Sequence, residues 1–187
     1  PPFRLVASTA RARAAAIAFG LPVVIKPADR GSSVGVVIVR TAPDLAGALS
    51  ASRRHSNRLI VQTYVAGTEL TCAVIERRGK LAALPVIEIV PHANSFFDTA
   101  SKYERGGSDE IVPARIPAGV ARQVQRAALT AHGTVGCRGY SRTDFILAES
   151  GTLYTLEINT LPGLTSASLL PRAAAAVDIP FGRVLDL

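Results

Sequence analysis

The chain has no methionine and no tryptophan, two cysteines, six phenylalanines and four tyrosines. Each shortage excludes something. Cys72 and Cys137 lie far apart without a CxxC partner, which argues against a thiolate metal site or a disulfide and for two buried thiols in a reducing compartment. An aromatic share of 5% is too thin for a base-stacking platform. No apolar run nears the roughly 18 residues of a membrane span. The first residues lack the basic segment and apolar stretch of a secretory signal. A chain that starts at Pro1 without any methionine reads as a piece of a longer product.

What remains describes a globular domain or two small lobes sharing a cleft. With 187 residues, 48% hydrophobic and 19% charged, such a chain buries about 70% of its unfolded surface. The net charge of +7 invites a nucleic-acid reading. The arginines are dispersed, however, pairing only at Arg53-Arg54 and Arg77-Arg78, and a general enrichment in Arg and Ala explains the charge as well. No nucleic acid and no membrane is expected as a partner, and the expected compartment is the cytoplasm.

Along the chain, Ser8 caps a helix through "TARARAAAIAF" that Gly20 ends. Strands follow at "LPVVIK" and "VGVVIV", then a helix at "PDLAGALSASRR" and a strand at "LIVQTYV". "ELTCAVIE" and "LAALPVIEIV" read as a hairpin around "RRGK". Residues 91–116 are long, polar and without period, the mark of a functional lid or a disordered segment inside a compact domain. "AGVARQVQRAALTAHGTV" keeps helical spacing at Val120, Val124, Ala127, Ala128 and Ala131. A last hairpin, "YSRTDFILAESGTLYTLEINT", precedes the loop "LPGLTSAS" and a weakly helical end. His55, His92 and His132 match no triad or metal spacing and receive no role.

Two stretches carry chemistry. With Ser150 and Gly151 as the central turn residues of the last hairpin, Asp144 faces Glu157 and Arg142 faces Asn159, all on one face. Opposed carboxylates at about 5 Å repel by roughly 3 kcal/mol at an effective dielectric near 20. A cation between them resolves the conflict, and Asp, Glu and Asn are hard oxygen donors suited to Mg²⁺ with phosphate. The alternative is that Arg142 neutralises one carboxylate and the register is off by one. The second stretch, "VVIKPADRGSSVGVVIV", is neither a Walker motif nor GxGxxG. Its Gly31–Gly35 loop forms either an anion nest beside Lys26 or a plain hairpin turn.

In order, "VVIKPADRGSSVGVVIV", "LIVQTYVAGTELT", "FFDTASKY", "GCRGYSRTDFIL" and "LYTLEINTLPGLTSASLLP" resemble the D-alanine–D-alanine ligases of the ATP-grasp superfamily, over nearly the whole chain. The resemblance implies an α+β ATP-grasp fold whose two lobes, with antiparallel sheets, enclose the nucleotide. Residues 1–66 match the central lobe with a glycine-rich lid loop at 29–35, and 67–187 the C-terminal catalytic lobe with a long substrate loop at 91–116. It implies an ATP-dependent ligase that joins two D-alanines through an acyl phosphate for peptidoglycan and hence cell-wall and cell-shape maintenance. ATP and Mg²⁺, two ions with Mn²⁺ as a substitute, are the implied cofactors, and a homodimer is compatible with it.

Residue by residue, Lys26 matches a phosphate ligand, and the backbone of Ser32, Ser33 and Val34 a lid over the phosphates. Gln62, Thr63 and Val65 match the adenine hinge, where the family usually has glutamate at the Gln62 position. Glu69 matches the ribose ligand and Lys102 a second phosphate lysine. Asp144, Glu157 and Asn159 match the magnesium ligands. Arg142 and the Gly163 N–H match the oxyanion site, while Ser168, with Leu169 beside it, matches the grip on the second substrate's carboxylate. Tyr103 matches a lid residue joined to Ser32 in a triad. The third member of that triad belongs to an N-terminal lobe that these 187 residues do not contain, and the C-terminal end also stops short. Two alternatives stand beside this reading: a ligase for another carboxylate and amine, and a non-catalytic nucleotide-binding module.

Overall fold

A computed structural model of the chain describes residues 1–31, 33–92 and 108–186. The chain divides into two compact units, Pro1–Val65 with Pro91–Ser108 and Ala66–Val90 with Asp109–Leu187.

The first unit is an antiparallel sheet of β1 (Phe3–Val6), β4 (Leu59–Thr63), β2 (Val23–Pro27) and β3 (Val37–Val39), in that order. Alternation in β2 decides its faces. Val23 and Ile25 are fully buried, while Val24 and Lys26 are half-buried. The buried face is covered by α1 (Thr9–Phe19) and α2 (Asp44–Arg53), whose Ala12, Ala15, Ala16, Leu45 and Leu49 pack on Val23, Ile25, Val39, Leu59 and Val61. Three alanines let α1 approach closely. Ser8 caps it by accepting from the Arg11 N–H, and Gly20 ends it at φ 74°. Among the described residues the opposite face carries no helix, and Phe3 and Leu5 are exposed there.

Charge is divided unevenly. Residues 1–65 hold nine Lys and Arg against two Asp, a net of +7, and the remainder balances at twelve of each. None of the eight arginines in that stretch pairs with an acid among the described residues. Arg4 and Arg40 lie over the rings of Phe19 and Tyr64, and Arg30 and Arg53 donate to backbone carbonyls. Ion pairs among the described residues of the second unit include Arg115–Glu88, Arg142–Asp144, Arg172–Glu110 and Arg183–Asp186.

That unit is built on a six-stranded sheet centred on β5 (Gly67–Arg77). The order is β10 (Leu153–Asn159), β9 (Tyr140–Ala148), β5, β7 (Ile87–Pro91), β8 (Ser108–Ile111). β6 (Lys80–Ala83) pairs the other end of β5, on the edge that β7 also uses. The expected hairpin is therefore one return path broken at Leu84–Val86, where Pro85 cannot donate to the ladder and the register shifts by one. One sheet face packs on α3 (Ala118–Val135) through Leu70, Cys72, Val74, Val124, Ala128 and Phe145. The other receives α4 (Leu169–Ala175) and α5 (Phe181–Leu185) through Ala73, Ile75, Ile87, Leu170 and Ala174.

Two expectations need correction. The irregular stretch 91–116 ends in a strand, since Ser108–Ile111 pairs at the sheet edge. Arg115 then clamps the chain by donating to the buried Glu88 carboxylate from its N–H, Nε and Nη2. Cys72 is buried as expected, and burial pushes its thiol up to about 12. Cys137, just past the Gly136 cap of α3, is only half-buried. Both cysteines are free thiols. His132 is buried, its Nδ1 2.8 Å from Ser141 Oγ, a tie between α3 and β9. Among the described residues no helix is long and apolar enough to cross a membrane.

Candidate active site

Sequence-named residues gather on one face of each sheet. In the first unit, Lys26 pairs across to Ile60 and Gln62 to Val24, so Lys26 and Gln62 share the helix-free face. Gln62 is 8% exposed and its carboxamide makes no hydrogen bond among the described residues. The Thr63 N–H donates to the Pro2 carbonyl at 3.0 Å, which removes that donor from any ligand. Val65 follows the strand and pairs neither its N–H nor its carbonyl among the described residues.

The glycine loop is two consecutive turns, with Val34 N–H donating to Gly31 and Val36 N–H to Ser33. Ser33 at φ 58° and Gly35 at φ 71° hold left-handed backbone. A Cβ on Gly35 would meet His55 Cδ2 at 2.7 Å, so glycine is needed for space as well as for φ. The buried Ser52 hydroxyl donates to the Gly35 carbonyl at 2.6 Å, and Arg30 Nε donates to the His55 carbonyl. The loop is thus pinned at its base by α2. Ser32, Lys102 and Tyr103 lie outside the described residues.

In the second unit the last hairpin sets the geometry by an unexpected route. Its turn is a three-residue loop, Glu149 to Gly151, closed by Ala148 pairing with Thr152; Gly151 takes φ 82°. From there Leu153 faces Leu147 and Thr155 faces Phe145, one step off the expected pairing. A bulge between Thr155 and Glu157 inserts Leu156 and restores that step. Glu157 then faces Asp144, and Asn159 faces Arg142. Because a one-residue slip exchanges sheet faces, the bulge also moves β10 from the α3 side, where Leu153 packs, to the opposite side.

Across three strands this gives a row of Thr71, Asp144 and Glu157 and a second row of Ala73, Arg142 and Asn159, with Glu69 on the same face. Both alternatives left open by the sequence are met in part. The carboxylates are opposed, and Arg142 does neutralise one of them. Its Nε donates to Asp144 Oδ1 and its Nη2 to Oδ2, both at 2.9 Å. The buried Thr71 hydroxyl donates to Oδ1 at 2.6 Å. Sequence reasoning missed Thr71, although the strand register that places it beside Asp144 is a signal for it. Glu157 is exposed and its carboxylate makes no hydrogen bond among the described residues. Asn159 Oδ1 accepts from the Leu161 N–H at 3.0 Å, turning the chain into the following loop.

No three His, Cys, Asp or Glu side chains cluster among the described residues. The set at hand is two carboxylates and an amide. An unpartnered Glu157, an Asp144 held by Thr71 and an Asn159 on one face fit a hard divalent cation of the Mg²⁺ kind, which takes few protein oxygens and keeps its waters.

In the loop after β10, Ser168 Oγ accepts from the Thr165 N–H at 3.1 Å and lies 2.9 Å from Thr165 Oγ1. A Cβ at Gly163 would sit 2.9 Å from that oxygen, so Gly163 makes room for it. Leu169 opens α4 and packs into the core beneath. A shallow cleft of about 400 Å³ opens elsewhere, between α1 and α2, lined by Thr9, Ala46, Leu49, Ser50, Arg53 and Arg54. No sequence-named site residue lines it, and the residue constellation outweighs it as a guide to chemistry.

Residues 5–186 match the family described as D-ala D-ala ligase C-terminus. The D-alanine–D-alanine ligase of Anaeromyxobacter dehalogenans is 48% identical over 172 residues, 90% of this chain and 54% of that protein. Among solved structures, the VanG D-Ala:D-Ser ligase from Enterococcus faecalis superposes with a TM-score of 0.85 at 32% identity, covering 100% of this chain and 55% of that one. The D-alanine–D-alanine ligase from Bacillus anthracis complexed with ATP gives 0.78 at 30% identity, covering 100% and 57%. The chain therefore spans about half the length of the relatives it matches.

Proposed function

This chain belongs to the D-alanine–D-alanine ligase family and has its α+β ATP-grasp fold, and from that we propose that it is the nucleotide-binding and catalytic part of an ATP-dependent ligase joining two D-alanines for peptidoglycan. The observation that carries the reading is the Thr71–Asp144–Glu157 row with Arg142 and Asn159 on the same sheet face. Residues 1–66 would serve the nucleotide and 67–187 the reacting groups.

In the proposed reaction the carboxylate of the first D-alanine attacks the γ-phosphorus of ATP, ADP leaves, and an acyl phosphate forms. The amine of the second D-alanine then attacks the acyl carbon, and phosphate leaves with the electron pair of the C–O bond. Lys26, with Lys102 and the backbone of Ser32, Ser33 and Val34, would hold the phosphates. Gln62 and the backbone at Thr63 and Val65 would hold the base, and Glu69 the ribose. With its N–H spent on Pro2, Thr63 would contribute its carbonyl. Asp144, Glu157 and Asn159 would hold Mg²⁺, two ions in all and replaceable by Mn²⁺, which offsets phosphate charge during transfer. Arg142 and the Gly163 N–H would face the tetrahedral oxygen. Ser168, with Leu169 beside it, would hold the second carboxylate, and Tyr103 with Ser32 would close the lid.

One observation favours a second substrate other than D-alanine: a solved relative at 32% identity is a D-Ala:D-Ser ligase. The test is ADP release from MgATP by the 187-residue chain with and without D-alanine, followed by a panel of amino acids and hydroxy acids. D-alanine-dependent release supports the reading. Release with another acceptor alone replaces the substrate assignment. MgATP binding without release under any of them reduces the chain to a nucleotide-binding module.

A further inference from the structure

We propose that Asp144 is a shared seat, filled by the Arg142 guanidinium when no cation is bound and by the divalent cation when one is. Arg142 is then released to the reacting groups only once the metal is in place. The inference rests on the metal-site reading above and goes beyond it in making the two cations alternative occupants.

It starts from a count of lone pairs. A carboxylate offers about four acceptor positions, two on each oxygen. Asp144 Oδ1 accepts from Thr71 Oγ1 at 2.6 Å and from Arg142 Nε at 2.9 Å, so it is full. Oδ2 accepts from Arg142 Nη2 at 2.9 Å and keeps one position. Glu157 stands directly opposite, its carboxylate without a hydrogen bond among the described residues. A dication shared by Asp144 and Glu157 must come to Oδ2, the oxygen that already holds the guanidinium. Two cations on one oxygen repel. Here the repulsion is only partly screened, because the Arg142 and Asp144 side chains are 19% and 21% exposed. The side chain that yields is the one with rotamers to spare. Mg²⁺ demands near-ideal oxygen geometry, whereas a long arginine finds water or another acceptor by rotating.

Thr71 makes the exchange clean. Its hydroxyl is buried, sits opposite Asp144 in β5, and grips Oδ1, the oxygen the cation does not need. The carboxylate therefore keeps its orientation while its second partner changes. Thr71 is a positioning residue on this account, and the exchange imposes an order: the metal is seated first, and the oxyanion-stabilising guanidinium becomes available second.

The test is Mn²⁺ affinity, read from the free-ion electron paramagnetic resonance signal, on the 187-residue chain without nucleotide. Arg142→Gln removes the competing cation and should tighten Mn²⁺ binding by about tenfold or more, the scale of one charge-assisted contact. Thr71→Val should weaken it and Thr71→Ser should restore it. Unchanged or weaker binding by Arg142→Gln overturns the exchange. Glu157→Gln separates the two levels. If it weakens Mn²⁺ binding while Arg142→Gln fails to tighten it, the metal site stands and the exchange falls. If it has no effect, the metal-site reading falls and takes the exchange with it. Should Arg142→Gln not fold, the wild-type chain gives the answer by ¹⁵N spectra of arginine Nε–H groups. One resonance that shifts with saturating Mg²⁺ and is lost in Arg142→Lys supports the exchange, and an unmoved set overturns it.

Discussion

Gly35 cannot take a side chain without displacing His55, and its φ of 71° disfavours one in any case. Gly35→Ala should lower stability by about 1–3 kcal/mol through strain alone, read as the midpoint of denaturant unfolding. Glu157→Gln should do the reverse in metal-free protein, since it removes a charge opposed to Asp144. Its unfolding midpoint should be equal to or above wild type, and a fall would overturn the opposed-carboxylate argument. At Glu88 the Arg115 hydrogen bonds hold the carboxyl below its ordinary value of 4.5. A depressed carboxyl stabilises the fold above its unfolded pKa and loses that contribution as pH falls through the lower folded value. Glu88→Gln should therefore flatten the loss of stability in acid titrations below about pH 5, the region where unfolded glutamates begin to protonate. Thiol labelling at pH 8 should modify Cys137 and spare Cys72, whose burial holds its thiol protonated up to about 12. Cys72 could be placed from sequence as a buried thiol, and Lys26 and Gln62 through the family resemblance. Thr71 and Glu88 could not, since their partners, Asp144 and Arg115, come from distant segments.

At the scale of elements, the last hairpin shows how a right pairing can rest on a wrong turn. The sequence favours Ser150-Gly151 as a two-residue turn, and that alone yields Glu157 opposite Asp144. The chain instead uses three loop residues and recovers the pairing with a bulge at Leu156. Bulges leave no compositional mark in "LYTLEINT", so the compensation was invisible. Deleting Leu156 should remove the bulge and leave Glu157 opposite Asp144 and Asn159 opposite Arg142 in a regular ladder. The expected readout is a folded chain, by circular dichroism, that keeps Mn²⁺ binding; lost binding would refute the role of spare residue given to Leu156. The helices were the most legible elements, with α1 found at its observed bounds through a serine cap and a glycine stop, and α3 through 3.6-residue spacing. β8 was hidden because Ser108–Ile111 is short, acidic and at a sheet edge, where pairing depends on its neighbour more than on its own residues.

For the whole molecule, the decisive feature is where the charge resides. All of the +7 falls within residues 1–65, whose eight arginines pair with no acid among the described residues, while the remainder is neutral. A field of that sign concentrates anions near the unit proposed to take ATP, and such steering fades with salt. The association rate of a fluorescent ATP analogue should fall several-fold between about 20 and 200 mM salt, with dissociation little changed. Charge reversal at Arg11 and Arg13, on the exposed side of α1 and outside the site, should flatten that dependence. The same imbalance gives the molecule a handle. On a cation-exchange resin or an anionic sensor chip, the chain should attach by its first 65 residues, so that it can be captured for assay without a tag.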